Sequence, residues 1–109
     1  MKPDTLGLLG LMRRAGQLAA GEEGVRQAVR TGKAKLILLA ADASQNAKER
    51  AEGFASRAKV PLQVLPADKE TLSRAAGVAG GAMFAVCDEG FAAALQKKLQ
   101  TDHTAEQTV

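Results

Sequence analysis

The side chains that most often carry out covalent chemistry are scarce in this sequence. Its single histidine is His103 and its single cysteine is Cys87. Nucleophilic catalysis needs a serine or cysteine beside a base such as histidine, and His103 lies in a polar C-terminal stretch that we expect to be disordered. Cys87 falls in an apolar run, which is typical of a small buried hydrophobic residue. The sequence therefore predicts no nucleophilic enzyme.

Two acidic pairs are the next candidates for chemistry. Glu22-Glu23 and Asp88-Glu89 each begin a predicted helix. Carboxylates in the first turn stabilise the positive end of the helix dipole. We therefore interpret both pairs as structural rather than as the paired carboxylates of a hydrolase.

The glycine-rich stretch does not have the pattern of a phosphate-binding loop. Gly77, Gly80 and Gly81 lie in an apolar loop that is not followed by Gly-Lys-Ser/Thr and has no dinucleotide-binding fingerprint. Cysteine and histidine never occur at zinc-ligand spacing. We expect no enzyme activity, no metal, no cofactor and no small-molecule substrate.

Basic residues are concentrated in the first part of the chain. The formal net charge is +3, but residues 1–59 contain eleven Lys and Arg against six Asp and Glu, and residues 60–109 contain four against six. Such an excess on a small domain is typical of a protein with an anionic partner, most often nucleic acid. Charge alone fits a solvated helix surface equally well.

Composition indicates one ordinary globular domain. The 109 residues are 46% hydrophobic, 25% charged and only 3% aromatic, so the core must be built mainly from aliphatic side chains. The apolar run at residues 6–12 is too short to cross a bilayer, and the N-terminus does not have the pattern of a secretory signal. We expect a cytoplasmic protein.

Helical and extended patterns alternate along the chain and would position these residues. The predicted strands cover residues 17–20, 36–41, 62–65 and 83–87. The predicted helices cover residues 4–15 and 22–31, a segment capped by Asp42, a short segment from Asp68 to Gly77, and a segment from Asp88 to about residue 100.

The run Leu36–Ala41 is apolar throughout, as in a strand buried on both faces, and such a strand requires helices on both sides of its sheet. The sequence therefore predicts an α/β fold, a three-layer α/β/α sandwich with a four-stranded mixed sheet. We assign residues 1–100 to this domain and residues 101–109 to a disordered polar tail.

The most informative segments of the sequence are residues 21–36 (GEEGVRQAVRTGKAKL) and Arg13–Gly16. They resemble the kink-turn-binding ribosomal-protein superfamily of the L-seven-Ae and L-thirty-e type. Further matches follow in register at residues 38–46 (LLAADASQN), 72–77 (LSRAAG) and 88–91 (DEGF). The likeness spans about residues 5–99 and is greatest to the small bacterial YlxQ-like branch. It implies an L-thirty-e-like domain that binds structured RNA, ribosomal RNA being one candidate, within a ribonucleoprotein.

The resemblance also implies where RNA would bind. In members that bind kink-turn RNA, the start of the second helix enters the groove at tandem sheared G·A pairs, and a nearby apolar loop covers a flipped-out nucleotide. The motif match places the helix part of this RNA site at Gly21, Glu22, Glu23, Arg26, Gln27 and Arg30. Lys33 and Lys35 follow the helix, and the loop residues are Ala76, Gly77, Val78 and Ala79.

Three positions of this motif depart from the usual kink-turn pattern. Glu23, Gly24 and Gln27 stand where Asn, Glu and Lys are usual, and a carboxylate beside a phosphate is repelled. Two hypotheses therefore remain: a monomer that binds kink-turn or related non-coding RNA, and a protein-interaction module of the same fold that has lost standard kink-turn recognition. A phosphoryl-binding protein is the third and is disfavoured by the missing phosphate loop.

Overall fold

The computed structural model describes the backbone of residues 1–107 and the side chains of residues 1–101. Helices and strands alternate along that part of the chain. The helices are α1 (Pro3–Arg14), α2 (Gly21–Arg30), α3 (Gln45–Ala58), α4 (Lys69–Ala76) and α5 (Glu89–Gln107). The strands are β1 (Leu18–Ala20), β2 (Leu36–Leu39), β3 (Leu62–Val64) and β4 (Met83–Val86).

The four strands form one mixed sheet in the order β1-β4-β2-β3. β4 runs antiparallel to both β1 and β2, whereas β3 runs parallel to β2. In this register the ends of β1 and β2 lie beside the beginning of β4, and we call this side the front edge of the sheet. The beginnings of β1 and β2 lie beside Val86, at the end of β4, and we call that side the back edge.

Helices cover both faces of the sheet, as predicted. Leu36, Leu38 and Phe84 belong to a core cluster with residues of α1, α4 and α5. Ile37 and Leu39, which alternate with them along β2, belong to a second cluster with residues of α2 and α3. Successive side chains of a strand point to opposite faces, so the continuous apolar run of β2 is buried on both sides. The three-layer α/β/α prediction is confirmed.

The predicted caps are correct for α4 and α5 and wrong for α3. Asp68 accepts a hydrogen bond from the amide of Thr71 at 2.7 Å. α3 begins two residues later than predicted, because Ser44 rather than Asp42 accepts from a first-turn amide. Asp42 instead accepts from the amide of Lys69 at 2.8 Å, and this bond holds the β2–α3 loop against the start of α4.

The other helix and strand ends differ from the predictions by one or two residues, except in α5. This helix continues through Gln107 and so overlaps the segment 101–109, which we predicted to be disordered. No Gly or Pro, the two residues of poorest helix propensity, follows Gly90. The side chain of His103 and residues 108–109 lie outside the described part of the chain. Within that part, no helix is long and apolar enough to cross a membrane.

Candidate nucleic-acid interface

The start of α2 and the loop before β4 meet at the front edge of the sheet. Gly81 lies so close to Gly21 that a Cβ atom on Gly81 would come within 3.3 Å of the Gly21 nitrogen. Both residues have positive φ, 79° at Gly21 and 123° at Gly81, a region that favours glycine. The structure therefore brings together the helix start and the loop that the resemblance pairs.

The first turn of α2 has no side-chain cap. Its N-cap residue is Ala20, which has no polar side-chain atom to accept from the first amides. The first N–H groups of a helix have no acceptor within the helix and carry partial positive charge. This turn can therefore donate hydrogen bonds to an acceptor outside the chain.

The acidic pair of α2 is held by two arginines. Arg26 pairs with Glu22 at 3.2 Å and also with Glu23, and Arg50 of α3 pairs with Glu22 at 2.7 Å. The hydrogen bond from Arg50 is the main reason that the pKa of Glu22 is lowered. We call these four residues the Glu22 network. Two carboxylates face two guanidinium groups, so the helix start is not the uncompensated acidic site that its sequence suggests.

A groove of about 500 Å³ lies beside this network, between α2 and α3. Its lining residues are Arg26, Val29, Arg30, Phe54 and Arg57, and we call it the arginine groove. The guanidinium carbons of Arg26 and Arg57 lie 5.8 and 5.3 Å from the centre of the Phe54 ring, which is cation–π distance. Among the described side chains, Arg30 and Arg57 have no acidic partner.

A second pocket, of about 580 Å³, lies between α4 and the loop that follows it. Its lining residues are Lys69, Glu70, Ser73, Arg74, Val78, Gly80 and Gly81. Val78 is half-buried and packs against the core, whereas Ala79 is exposed. The hydroxyl of Ser73 donates to the Gly81 carbonyl at 3.4 Å. The loop thus presents small and apolar groups beside the α2 start.

Three of the predicted residues do not lie at this surface. Ala76 is the last residue of α4 and is only 2% exposed, so its side chain belongs to the core. Lys33 and Lys35 lie at the back edge, where the Lys35 amide donates to the Val86 carbonyl at 2.7 Å. α2 has ten residues and carries the chain about 15 Å from one edge to the other, which separates these lysines from Gly21.

Other predicted residues of α2 lie along its exposed side. Glu23, Gln27 and Arg30 are exposed, and α4 stops at Gly77 as predicted, with Gly77 in the left-handed conformation. The structure thus brings the helix start and the loop before β4 together at the front edge. Arg30, the last residue of α2, lies toward the back edge with the two lysines.

No groups that could hold a metal or act as a nucleophile converge within the described residues. No cluster of three or more His, Cys, Asp or Glu has metal-binding geometry there. Cys87 lies just past the end of β4 and is half-buried, and burial raises the pKa of its thiol. A raised pKa keeps the group as an unreactive thiol at neutral pH.

Sequence reasoning missed the two arginines that α3 contributes. Arg50 and Arg57 lie on the polar side of α3, whose sequence carries no signal of a contact with α2. Glu22 and Arg50 are 28 residues apart, and only the packing of α2 beside α3 brings them together. The ion pair between Glu22 and Arg26 was also missed, although their spacing of four residues on one helix could have indicated it.

Residues 4–96 match the sequence profile of the ribosomal protein L7Ae/L30e/S12e/Gadd45 family. Two bacterial proteins named RNA-binding protein YlxQ are each 36% identical to the chain. The one from Bacillus subtilis (strain 168) aligns over 85 residues, 78% of this chain and 84% of that protein. The one from Enterococcus faecium aligns over 87 residues, 80% of this chain and 82% of that protein.

Two solved structures share the fold. A protein of unknown function from Bacillus halodurans C superposes with a TM-score of 0.78 and 33% identity, covering 88% of this chain and 96% of its own. The Giardia lamblia 15.5kD RNA binding protein superposes with a TM-score of 0.66 and 19% identity, covering 93% of this chain and 92% of its own. At that low identity, the second likeness shows the fold alone.

Proposed function

Because the chain belongs to the ribosomal protein L7Ae/L30e/S12e/Gadd45 family, we propose that it binds structured RNA without catalysing a reaction. Within that family it belongs to the bacterial YlxQ-like branch, whose two relatives are named as RNA-binding proteins. The proposed contact surface is the start of α2 together with the loop residues 77–79. We further propose that the protein acts as a monomer in the cytoplasm.

The observation that carries this proposal is the packing of Gly81 against Gly21. It sets an apolar loop beside a helix start whose amides have no side-chain cap. Amides and cations suit phosphates and base edges, and Val78 and Ala79 suit the face of an unstacked base. Both chemistries are needed to bind RNA that is bent out of regular duplex form.

The Glu22 network removes the main electrostatic objection to this surface. Arg26 and Arg50 compensate the two carboxylates of the first turn, so the repulsion of a nearby phosphate is reduced. Glu23 keeps its side chain 77% exposed and can accept a hydrogen bond from a donor on a base edge. A kink turn or a related non-Watson–Crick motif in ribosomal or other non-coding RNA is the target that this surface fits best, because such motifs open a groove that A-form duplex keeps narrow.

A titration against a kink-turn RNA and a plain duplex of equal length tests the proposal, at low and near-physiological salt. We expect tighter binding to the kinked RNA at both salt concentrations. Ala79→Asp places a negative charge on the exposed loop and should weaken binding about tenfold, or ~1.4 kcal/mol. Ala93→Asp is the matched control, because Ala93 is equally exposed but lies on α5, which begins at the back edge.

Equal and weak binding to both RNAs, lost as salt rises, would contradict the proposal, because it would leave only a basic surface. The protein-interaction hypothesis would then be favoured. It is kept as the second candidate because Glu23, Gly24 and Gln27 depart from the usual kink-turn motif.

A further inference from the structure

The arginine groove lies outside the proposed contact at the helix start and loop. Three arginines, one valine and one phenylalanine line it, and no carboxylate does. Arg26 is engaged with Glu22 and Glu23, but Arg30 and Arg57 have no acidic partner among the described side chains. Arg30 and Arg57 therefore give the groove positive charge that no ion pair among the described side chains engages, and Glu49 lines the adjoining pocket that shares Arg26, Phe54 and Arg57.

Phe54 contacts two of the arginine side chains that line the groove. The ring is only 3% exposed and belongs to the core, and the guanidinium groups of Arg26 and Arg57 both lie over it. Arg57 has no ion pair among the described side chains, so its N–H donors are available to a bidentate acceptor such as phosphate. The ring thus orders Arg57 without a carboxylate, whereas Arg26 is also held by Glu22 and Glu23.

The groove is continuous with the front edge through Arg26. This residue pairs with the carboxylates of the helix start and also lines the groove. Arg30 lies one turn further along α2, and Lys33 follows at the back edge. Positive charge therefore runs from Arg26 along the second half of α2, away from the proposed RNA contact.

We propose that the arginine groove binds the phosphate backbone of an RNA strand and extends the RNA footprint from the start of α2 along the α2–α3 surface. This inference rests on the proposed RNA-binding function. An RNA backbone fits better than an acidic peptide, because the groove is continuous with the proposed RNA contact and a strand leaving that contact carries regularly spaced phosphates. A volume of about 500 Å³ lies in the range of small-ligand sites.

Arg57→Gln tests this assignment, because Arg57 lines the groove but lies on α3, outside the proposed primary contact. The dissociation constant for the kink-turn RNA is measured across roughly 50–300 mM salt. We expect about threefold to tenfold weaker binding at the lower salt. We also expect the slope of log Kd against log salt to fall by about 0.7–0.9, the contribution of one lost phosphate contact.

Lys48→Gln is the matched control and should leave both the affinity and the slope unchanged. Lys48 is exposed on the same helix, nine residues before Arg57, which places it about half a turn away around the helix. Arg57→Lys keeps the charge and should restore the slope. Thermal unfolding confirms that each variant is folded.

The possible outcomes distinguish a failure of the groove proposal from a failure of the proposed RNA-binding function. If the wild-type protein prefers kinked RNA and Arg57→Gln has an unchanged slope, the groove assignment is wrong and the proposed function stands. If the wild-type protein binds no structured RNA, both are wrong. Binding of poly-glutamate that depends on Arg57, with RNA binding unaffected, would also overturn the RNA assignment.

Discussion

At the scale of single residues, Glu22 joins two helices that are far apart in the sequence. Its carboxylate accepts from Arg26 one turn along α2 and from Arg50 on α3. Exposed ion pairs contribute little to stability, so the main effect of Glu22 is to position the side chains that pair with it. It fixes Arg26 between the helix start and the arginine groove.

The pKa of Glu22 gives a prediction for pH dependence. The folded state lowers this pKa from its ordinary value of 4.5, so the unfolded chain takes up a proton first as pH falls. The stabilisation is therefore fully present above about pH 4.5 and is lost as pH falls through the lowered pKa. Glu22→Gln should reduce the melting temperature at pH 7, and the difference from wild type should be smaller at pH 3.

Melting curves at both pH values check this prediction. Glu52→Gln is the control, since Glu52 is exposed on α3 and has no ion pair among the described side chains. Its melting temperature should follow that of the wild type at both pH values. A Glu22→Gln deficit that is equally large at low pH would show that the carboxylate acts through packing and not through its charge.

At the scale of elements, the loop before β4 is placed by a close backbone approach. Gly81→Ala would adopt φ near 123° and bring a Cβ within 3.3 Å of the Gly21 nitrogen. Unfavourable φ alone costs about 1–3 kcal/mol, and relief of the contact would move the loop away from α2. We expect lower stability together with at least fivefold weaker RNA binding, measured by denaturant unfolding and by titration.

Gly32→Ala is the control that separates the effect of backbone strain from the effect of displacing the loop before β4. Gly32 also has positive φ, but a Cβ there would meet nothing within 4 Å, and the residue lies between α2 and β2. This variant should lose about 1–2 kcal/mol of stability while binding RNA normally. If Gly81→Ala also binds RNA normally, the loop is not part of the RNA contact.

The elements and their three layers were largely predictable from the sequence, whereas the contacts between residues far apart in the chain were not. The apolar run of β2 and the caps Asp68 and Asp88 are local signals, and they correctly predicted the strand and the two helix starts. Asp42 was assigned to the wrong helix start because its partner, the Lys69 amide, is 27 residues away. Local patterns hold no information about such partners.

The candidate site shows the same division. The likeness of residues 21–36 predicted the helix start and its loop, which the structure brings together. It also grouped Lys33 with Gly21, although α2 separates them. Arg57 could not be found in this way, because its role depends on α3 lying beside α2, which no local spacing records.

At the scale of the whole molecule, the two central strands carry both cores. β2 and β4 are buried on both faces and pair with each other, whereas β3 lies at the sheet border with Val64 49% exposed. Amides that open only on global unfolding exchange slowest with solvent. Hydrogen exchange should therefore be slowest in β2 and β4 and at least tenfold faster at the exposed amides of β3. Comparable protection across all four strands would contradict this division.

The strand order also has a consequence for how the protein is made. β1 pairs only with β4 in this sheet, so its strand partner is not synthesised until residues 83–86. Pairing between strands so distant in sequence is slow to form, and until then β1 has no partner and Gly21 has no loop against it. A nascent chain that ends before residue 81 can already fold parts of α1 and α2, but it lacks the loop that completes the proposed RNA contact. The ability to bind RNA should therefore be gained late in synthesis and over a short stretch of chain.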